Sequence, residues 1–319
     1  MIWVGWRQQR VETMIAAAML AVLAAVAIPV GIHMASVYSH DGLAACAGPL
    51  DPVCGNALGS FQFRFNDLNI LFAWATIVPV LTALLFAAPF LVDLDNGTYR
   101  LYWTQSITRR RWIVTKLGLG VIASVALAAL FIVLATWART PLDHLNGRMA
   151  SSVYDSEGIV PVADALFVLG VAVVIGALWR RTVPALLIAF AVYVVGRAFT
   201  DGWLRQRLLS PVTTTWLQGS SSGPNLNKAL VINEFISDKN GHELAGLPNG
   251  PCVQHAGSLF THTAQCARPN PLGAHVYTTA VYQPAGRFWE LQGIEFAIVA
   301  GVGVALILFA GWWTNRRIA

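Results

Sequence analysis

The chain has few charged residues for its length. Asp, Glu, Lys and Arg make up 12% of its 319 residues, whereas hydrophobic residues make up 56% and the mean hydropathy is +0.58. An ordinary soluble domain carries about 25% charged residues. This scarcity of charge excludes a typical soluble domain and predicts a protein embedded in a lipid bilayer.

The sequence also lacks the signature motifs of catalysis and nucleotide binding. It has no GxxxxGKS or GxxxxGKT phosphate loop, no HExxH zinc motif and no GxSxG nucleophile elbow. Its glycine-rich segment at 219–223, GSSSG, lacks the lysine that contacts phosphate. We therefore expect no catalytic residue, no metal and no cofactor in this chain, and no ATP hydrolysis by the chain alone. A membrane enzyme with scattered ligands is still open.

Six apolar runs are long enough to cross a hydrocarbon core of about 30 Å as helices. They lack the two-residue alternation of a membrane barrel strand, and a bilayer requires each spanning segment to satisfy its own backbone. We therefore predict an all-α membrane protein with six transmembrane helices. The runs lie at 13–38, 70–92, 113–138, 160–179, 182–199 and 291–314.

Basic residues gather at every second junction between these runs. Because Arg and Lys are retained in cytoplasmic loops during insertion, their placement predicts the orientation. Both termini and the loops 93–112 and 180–181 are predicted to be cytoplasmic, and the loops 39–69, 139–159 and 200–290 to be outside. The residues behind this prediction are Arg7, Arg10, Arg109, Arg110, Arg111, Lys116, Arg180, Arg181, Arg316 and Arg317.

The four cysteines fall in two of the predicted outer loops. Cys46 and Cys54 share the first loop, and Cys252 and Cys266 share the last. Two local pairs on the oxidising side of the membrane predict the disulfides Cys46–Cys54 and Cys252–Cys266. Zinc binding is the open alternative for the second pair, because His255 and His262 lie between its cysteines.

The pattern of runs and loops divides the chain into four parts. Residues 1–12 mix tryptophans and arginines and predict an interfacial elbow helix. Residues 13–199 hold transmembrane helices one to five, residues 200–290 form an extracytoplasmic cap rich in turn residues, and residues 291–319 form helix six and a cytoplasmic tail.

Local sequence predicts further detail in the second run and in the cap. Pro79 and Pro89 are expected to bend the second transmembrane helix. In the cap, 211–218 is predicted to be an interfacial or re-entrant segment, and 228–236 is either a short helix or a strand.

The stretch DLDNGTYRLYWTQSITRRRW at 93–112 interrupts apolar sequence with arginines and aromatics. Thr98 is expected to cap a short helix at about 97–108, and Thr108 to cap the next membrane helix. Two interpretations are open. The stretch is an ordinary juxtamembrane loop on lipid, or a cytoplasmic protein grips it through its aromatic and Arg side chains.

Four segments carry a family resemblance: WRQQRVE at 6–12, GTYRLYWTQSITRRRWIVTKLGLG at 97–120, DSEGIVPV at 155–162 and ALWRRTVPAL at 177–186. They resemble the permease subunits of bacterial ABC exporters of type-2 architecture, and the similarity covers most of residues 1–217. The large outer segment between helices five and six, often disulfide-bonded in such proteins, also matches. The resemblance implies a multi-pass protein of the bacterial plasma membrane.

What the resemblance implies about partners is specific. Residues 97–108 would be a coupling helix that docks on a separate cytoplasmic ABC ATPase subunit, and ATP and Mg²⁺ would bind on that subunit. Two permease copies, here a homodimer, would pair with two ATPases, and no nucleic acid is expected. The residues carried over for ATPase coupling are Thr98, Tyr99, Arg100, Tyr102, Trp103, Gln105, Arg109 and Arg110.

A second set of residues is predicted to face the transport path or its gate. Asp164, Arg197 and Glu295 lie at similar depth, so Arg197 is expected to pair with Asp164 or Glu295 and to latch the outer gate. A purely structural pair is the alternative. His33, Phe72, Trp74, Phe86 and Phe90 are candidates for a cavity that binds amphiphiles, with lipid contact or helix packing as the alternative.

These features together predict the membrane-spanning half of an ATP-driven exporter that moves amphiphilic small molecules, peptides or lipids, as in multidrug or antibiotic efflux. Export as the direction rests on the resemblance. One alternative is a sensor or immunity protein that binds an extracellular ligand without transporting it.

Overall fold

The computed structural model describes residues 9–45, 52–104, 108–217, 223–224, 226–243 and 277–317. Within these residues, six helical segments are long and apolar enough to cross a membrane, as predicted. The predicted elbow falls mostly on residues 1–8, which lie outside the described residues. The six segments are Arg10–His40, Asn66–Asp95, Arg109–Asn146, Val160–Trp179, Thr182–Arg207 and Ala285–Arg317.

The secondary structure is mainly helical. Short 3₁₀ turns lie at Leu43–Ala45, Leu226–Lys228 and Ala285–Arg287, and a π-helical turn lies at Thr200–Leu204. The helices are α1 (Arg10–His40), α2 (Pro52–Arg64), α3 (Asn66–Ala75), α4 (Ile77–Asp95), α5 (Tyr99–Thr104), α6 (Arg109–Asn146), α7 (Ser151–Tyr154), α8 (Val160–Trp179), α9 (Thr182–Phe199), α10 (Arg205–Arg207) and α11 (Phe288–Arg317).

The second membrane segment is interrupted where the sequence predicted a bend. Helix α3 ends at Ala75 and α4 begins at Ile77. Pro79 has no N–H to donate to the carbonyl of Ala75 four residues earlier, which accounts for the break. Pro89 lies inside α4, and α2 and α3 occupy much of 39–69, which was expected to be a loop.

Helix α8 is the central helix of the bundle. About two-thirds of its apolar stretch is buried inside the protein, a larger share than in any other described span. Helix α8 packs against α4, α6, α9 and α11. Its crossing with α11 is close, since a Cβ placed on Gly303 would lie 2.7 Å from the carbonyl carbon of Leu166. Small residues permit such approaches between membrane helices. The centre of the bundle is therefore a tightly packed unit.

A second apolar core lies to one side of this centre, between α1, α2, α3 and α6. Its buried members include Phe61, Phe65 and Phe72, and Phe131 of α6 belongs to the same cluster. Gly31 of α1 lies against α6, where an added Cβ would be 3.2 Å from the ring of Trp137. Helix α1 therefore packs against α6.

A small antiparallel sheet follows the fifth span. Its strands β1 (Val212–Leu217), β2 (Leu230–Ser237) and β3 (Tyr277–Gln283) are ordered β1-β3-β2. Hydroxyl groups join the strands, with Thr215 Oγ1 2.8 Å and Ser237 Oγ 2.7 Å from Thr279 Oγ1.

The sheet corrects two predictions. The chain is not all-α, and most of 211–218 forms the edge strand Val212–Leu217 rather than an interfacial or re-entrant segment. Of the two alternatives for 228–236, the structure has the strand. The run VTTTWL is rich in β-branched residues, which favour strands. Its threonines gave little hydrophobic periodicity, so the apolar pattern alone did not reveal a strand.

The sheet is fastened to the membrane helices by hydrogen bonds to main-chain carbonyls. Gln283 Nε2 donates to the carbonyl of Leu209 at 2.7 Å, and Lys228 Nζ donates to that of His144 at 2.6 Å. A cation on the last carbonyls of α6 also suits the negative end of the helix dipole. The sheet therefore sits against the end of the bundle at which α6 ends.

The proposed cysteine pairs and zinc ligands fall almost wholly outside the described residues. Cys54 lies in α2, whereas Cys46, Cys252, His255, His262 and Cys266 lie in segments that the structure leaves out. Both disulfides and the zinc alternative stay predictions.

The bundle has two chemically different ends. We call the end at which α4 and α8 stop and α6 and α9 start the basic end. We call the opposite end, where α6 stops, α8 starts and the sheet packs, the sheet end.

Candidate functional site

The coupling segment, residues 96–108 at the basic end, contains the short helix α5. Among the described residues, this helix covers Tyr99–Thr104. Tyr99 is buried, whereas Arg100 is exposed with its guanidinium carbon 5.8 Å from the Tyr99 ring centroid. The side chains of Tyr102 and Trp103, and the whole of Gln105, lie outside what the structure describes.

Of the two predicted helix caps, the structure tests the one at Thr108, and capping by Thr98 stays a prediction. Thr98 donates its hydroxyl to Asp93 Oδ1 at 2.9 Å. Thr108 occupies the N-cap position of α6 with an extended backbone, but its side chain makes no capping hydrogen bond. The prediction of side-chain capping at Thr108 is therefore wrong, and Thr98 serves as a link back to α4.

Asp93 braces the coupling segment against two spanning helices. Besides accepting the Thr98 hydroxyl, its carboxylate contacts Lys116 Nζ of α6 at 2.8 Å, and both side chains are nearly buried. Next to this contact, Trp112 of α6 stacks on Phe90 of α4 with ring centroids 5.5 Å apart. A force applied to the coupling segment would therefore reach α4 and α6 directly.

A second contact at the basic end joins α4 to α9. Asp95 Oδ2 accepts a hydrogen bond from the backbone N–H of Thr182 at 2.9 Å. This bond connects the last residue of α4 with the first residue of α9. Arg109 and Arg110, which were predicted to take part in coupling, lie exposed at the start of α6.

At the sheet end, the structure brings together the three charged residues that were predicted to lie at similar depth. Arg197 Nη1 lies 3.0 Å from Glu295 Oε1 and 3.6 Å from Asp164 Oδ2. Three further residues join them. Asp155 pairs with Arg197 Nη2, and Asp201 and Arg205 complete the group. We call Asp155, Asp164, Arg197, Asp201, Arg205 and Glu295 the charge cluster.

Arg205 is the most buried cation of the cluster, with 1% of its side chain exposed. Its Nε donates to Glu295 Oε2 at 3.1 Å and its Nη2 to Asp155 Oδ1 at 2.7 Å. The guanidinium carbon also lies 3.9 Å from the ring centroid of Tyr154. Burial raises the pKa of the Tyr154 phenol, and the nearby Glu295 raises it further.

Sequence reasoning missed Arg205 because it ended the fifth span at 199. The helix continues through the π-helical turn Thr200–Leu204 into α10. In a regular α-helix, each step of four residues overshoots a full turn by about 40°. The wider π turn rotates less per residue and brings Arg197, Asp201 and Arg205 onto one face. The spacing of four between opposite charges was the signal that could have found them.

A seven-residue segment at 154–160, which we call the clamp segment, connects the cluster to two other helices. Its Asp155 belongs to the charge cluster. Its Glu157 is fully buried and accepts a hydrogen bond from Arg139 Nε of α6 at 3.0 Å. Burial raises the pKa of Glu157 above its ordinary value, although Arg139 opposes the shift.

Gln292 of α11 fixes the backbone of the clamp segment. Its Oε1 accepts the N–H groups of Ile159 at 3.0 Å and Val160 at 3.1 Å, at the start of α8. Its Nε2 donates to the carbonyls of Tyr154 at 2.9 Å and Glu157 at 3.3 Å. One buried amide thus satisfies four main-chain groups, and the clamp segment joins α6, α8, α9 and α11.

The residues proposed for an amphiphile cavity are scattered in the structure. Phe86 and Phe90 are buried within the packing of α4, and Phe72 lies in the second core. Trp74 is 73% exposed, and His33 Nε2 lies 2.9 Å from Arg64 Nη2 on the exposed side of α1. The structure does not bring these five residues together, and their part in a transport path stays a prediction.

The family model described as "ABC-2 membrane transporter related" matches residues 17–205, more than half of the chain. The chain belongs to this family. Together with the six apolar helices, the match identifies it as a type-2 ABC permease and a multi-pass membrane protein. Permeases of this family normally work with an ATPase subunit and are generally not catalytic themselves. No curated protein and no solved structure matches the chain.

Proposed function

We propose that this permease is the membrane-spanning half of an ATP-driven exporter of amphiphilic compounds, and that the coupling segment is where its ATPase docks. The observation that carries the proposal is the pair of contacts that the Asp93 carboxylate makes, one with Thr98 and one with Lys116. A segment with an exposed Arg100 is tied through one buried carboxylate to Thr98 and, across the bundle, to Lys116. A docked protein would therefore move α4 and α6 together.

The proposed complex contains two copies of the permease as a homodimer and two ATPase subunits, with ATP and Mg²⁺ bound on the ATPases. The basic end would face the bacterial cytoplasm, with both chain termini on that side. The exposed arginines at 109–111 and 180–181 support this orientation, because basic loops are retained inside. The sheet end, with its predicted disulfides, would lie outside.

The clamp segment is our candidate for the outer gate. Its two acidic side chains pair with arginines from different helices, and Gln292 holds its backbone. Such an arrangement favours one closed state, and opening requires several pairs to be exchanged together. ATP binding would supply that energy, because the closed ATPases contact the two states of the permease differently.

The proposal is tested by isolating the permease with the ATPase encoded beside it. The complex should co-purify, hydrolyse ATP faster in the presence of a transported amphiphile, and move that amphiphile out of the compartment that faces the ATPase. Replacing Arg100→Glu or Trp103→Ala should abolish co-purification. Undiminished binding and ATPase stimulation in both variants would contradict docking at the coupling segment.

A separate outcome distinguishes export from ligand sensing. A reconstituted complex that hydrolyses ATP but moves no amphiphile would contradict export. Turnover of a substrate by the purified permease without any partner would contradict the proposal of a non-catalytic subunit.

A further inference from the structure

The turn between α8 and α9 borders an open groove at the basic end. The groove has a volume of about 500 Å³ and is lined by Leu178, Trp179, Arg181 and Pro184. Trp179 is 60% exposed and Leu178 47% exposed. An aromatic, an aliphatic and a guanidinium side chain thus surround one concave surface.

The backbone of this turn is held in an unusual conformation. Arg180 has φ 52° and ψ 38°, a left-handed conformation that glycine usually adopts after a helix, and its N–H donates to the carbonyl of Gly176 at 2.8 Å. The turn therefore ends α8 abruptly and presents two adjacent exposed arginines, Arg180 and Arg181. Within the part of the chain that the structure describes, neither lies within ion-pair distance of a carboxylate, although Arg181 is near enough to Asp95 for an electrostatic attraction.

The turn is also mechanically continuous with the coupling segment. Asp95, one residue before that segment, accepts the N–H of Thr182, one residue after Arg181. A protein that docks on the coupling segment therefore lies within reach of the groove.

We infer that this groove is a second docking site for the ATPase, occupied by an apolar side chain of the ATPase beside an acidic one. The inference rests on the proposed function. Apolar contact with Leu178 and Trp179 fits the first group, and Arg180 and Arg181 provide the charge for the second. Trp and Arg are the residue types that carry most of the energy in protein interfaces.

The consequence is a second route for the motion. The coupling segment acts on α4 and α6, whereas the groove lies at the end of α8. Helix α8 runs through the centre of the bundle and begins at the clamp segment, where Gln292 holds its first N–H groups. A displacement of the α8–α9 turn would therefore be transmitted along α8 to the clamp segment.

The test measures binding of the purified ATPase to the full-length permease in detergent. Trp179→Ala and Arg181→Gln should each weaken binding by about tenfold, the loss typical of a hot-spot residue. Arg181→Lys keeps the charge and should retain most of the binding. Trp312→Ala and Arg316→Gln are matched controls, because both residues are exposed near the end of α11 at the same end of the bundle. They should bind within about twofold of wild type.

Each other outcome has a defined meaning. If Trp179→Ala and Arg181→Gln bind normally while Arg100→Glu has lost binding, the second site is overturned and the proposed function stands. If Arg100→Glu also binds normally, docking at the basic end fails altogether. If the groove variants keep ATPase binding but lose stabilisation by phosphatidylglycerol vesicles relative to phosphatidylcholine vesicles, the groove is a lipid site and the inference is overturned.

Discussion

The arginines at the two ends of the bundle lie in opposite surroundings. At the sheet end, arginines are buried among carboxylates, as with Arg205 at 1% and Arg139 at 2% side-chain exposure. At the basic end, the arginines at 109–111 and 180–181 are exposed. Buried, paired charges hold helices in one arrangement, whereas exposed cations are available to a partner. This difference is consistent with the proposal that the sheet end is held closed by its own residues and that the ATPase docks at the basic end.

The charge cluster also contains more carboxyl groups than guanidinium groups. Among the described residues, it combines four carboxylates with two guanidinium groups. Removing a cation from such a group leaves buried carboxylates without compensation, which costs far more than the loss of an exposed ion pair. Substitutions at the two ends should therefore differ sharply in their effects on stability.

The largest effect is expected for Arg205→Met. The variant removes the guanidinium that bonds both Glu295 and Asp155 and leaves Arg197 as the only cation of the charge cluster, so we expect the free energy of unfolding to fall by about 3–5 kcal/mol. Thermal unfolding of the detergent-solubilised protein measures the loss. Arg207→Met is the matched control, because Arg207 is exposed and packs on Trp203, and it should cost less than about 1 kcal/mol. Equal losses of unfolding free energy in Arg205→Met and Arg207→Met would contradict the difference between buried and exposed arginines.

A smaller loss is expected for Gln292→Leu. Leucine has a similar size but leaves the N–H groups of Ile159 and Val160 and two carbonyls without their partner, which should cost about 2 kcal/mol. Hydrogen exchange should accelerate at the start of α8. Glu290→Gln, two residues earlier and exposed, serves as the control and should leave both measurements unchanged. Unaltered exchange in Gln292→Leu would show that the amide does not hold the clamp segment.

At the basic end, Asp93→Asn should lose function more than stability. The cost should be about 1 kcal/mol, because Lys116 lies near the start of α6 and its long side chain can reach the membrane surface. ATPase stimulation by substrate should fall severalfold, since Thr98 loses its charged acceptor. A double-mutant cycle with Lys116→Met checks the link. If the effects of Asp93→Asn and Lys116→Met on ATPase stimulation are strictly additive, the contact between the two residues does not contribute to coupling.

The smallest stability effect concerns pH and Glu157. Because burial raises the pKa of Glu157 in the folded state, the folded protein binds this proton more tightly than the unfolded chain. Its contribution to stability is therefore full below the ordinary glutamate pKa and declines as the pH rises through the raised pKa. Glu157→Gln removes this decline. Unfolding temperatures measured from about pH 5 to pH 8 should depend less on pH in the variant. Identical pH profiles would contradict the assignment.

The spans could be predicted from sequence because a membrane imposes length and apolarity on them. The fourth run, 160–179, coincides with α8, since Pro161 favours the start of a helix and Arg180 follows its end. The similar depth of Arg197, Asp164 and Glu295 in the membrane also predicted that they lie close together, and the structure has these contacts.

Other features depend on contacts that no local pattern contains. Asp155 and Arg205 are 50 residues apart, and Arg205 meets the cluster only because a π turn extends the fifth span. The sheet also escaped prediction, because β1 pairs with a strand more than sixty residues later in the chain.

The central claim is that ATP on a partner at the basic end opens the clamp segment at the sheet end. It is tested by pulsed electron resonance distances between spin labels at Ser151 and Gly202, introduced through unnatural amino acids. Both positions are exposed, and a side chain at Gly202 would meet no atom within 4 Å. In proteoliposomes with a hydrolysis-deficient ATPase, the account predicts that ATP lengthens this distance and that Arg100→Glu abolishes the change. A distance that ATP leaves unaltered, in a complex that binds ATP and its ATPase normally, would contradict it.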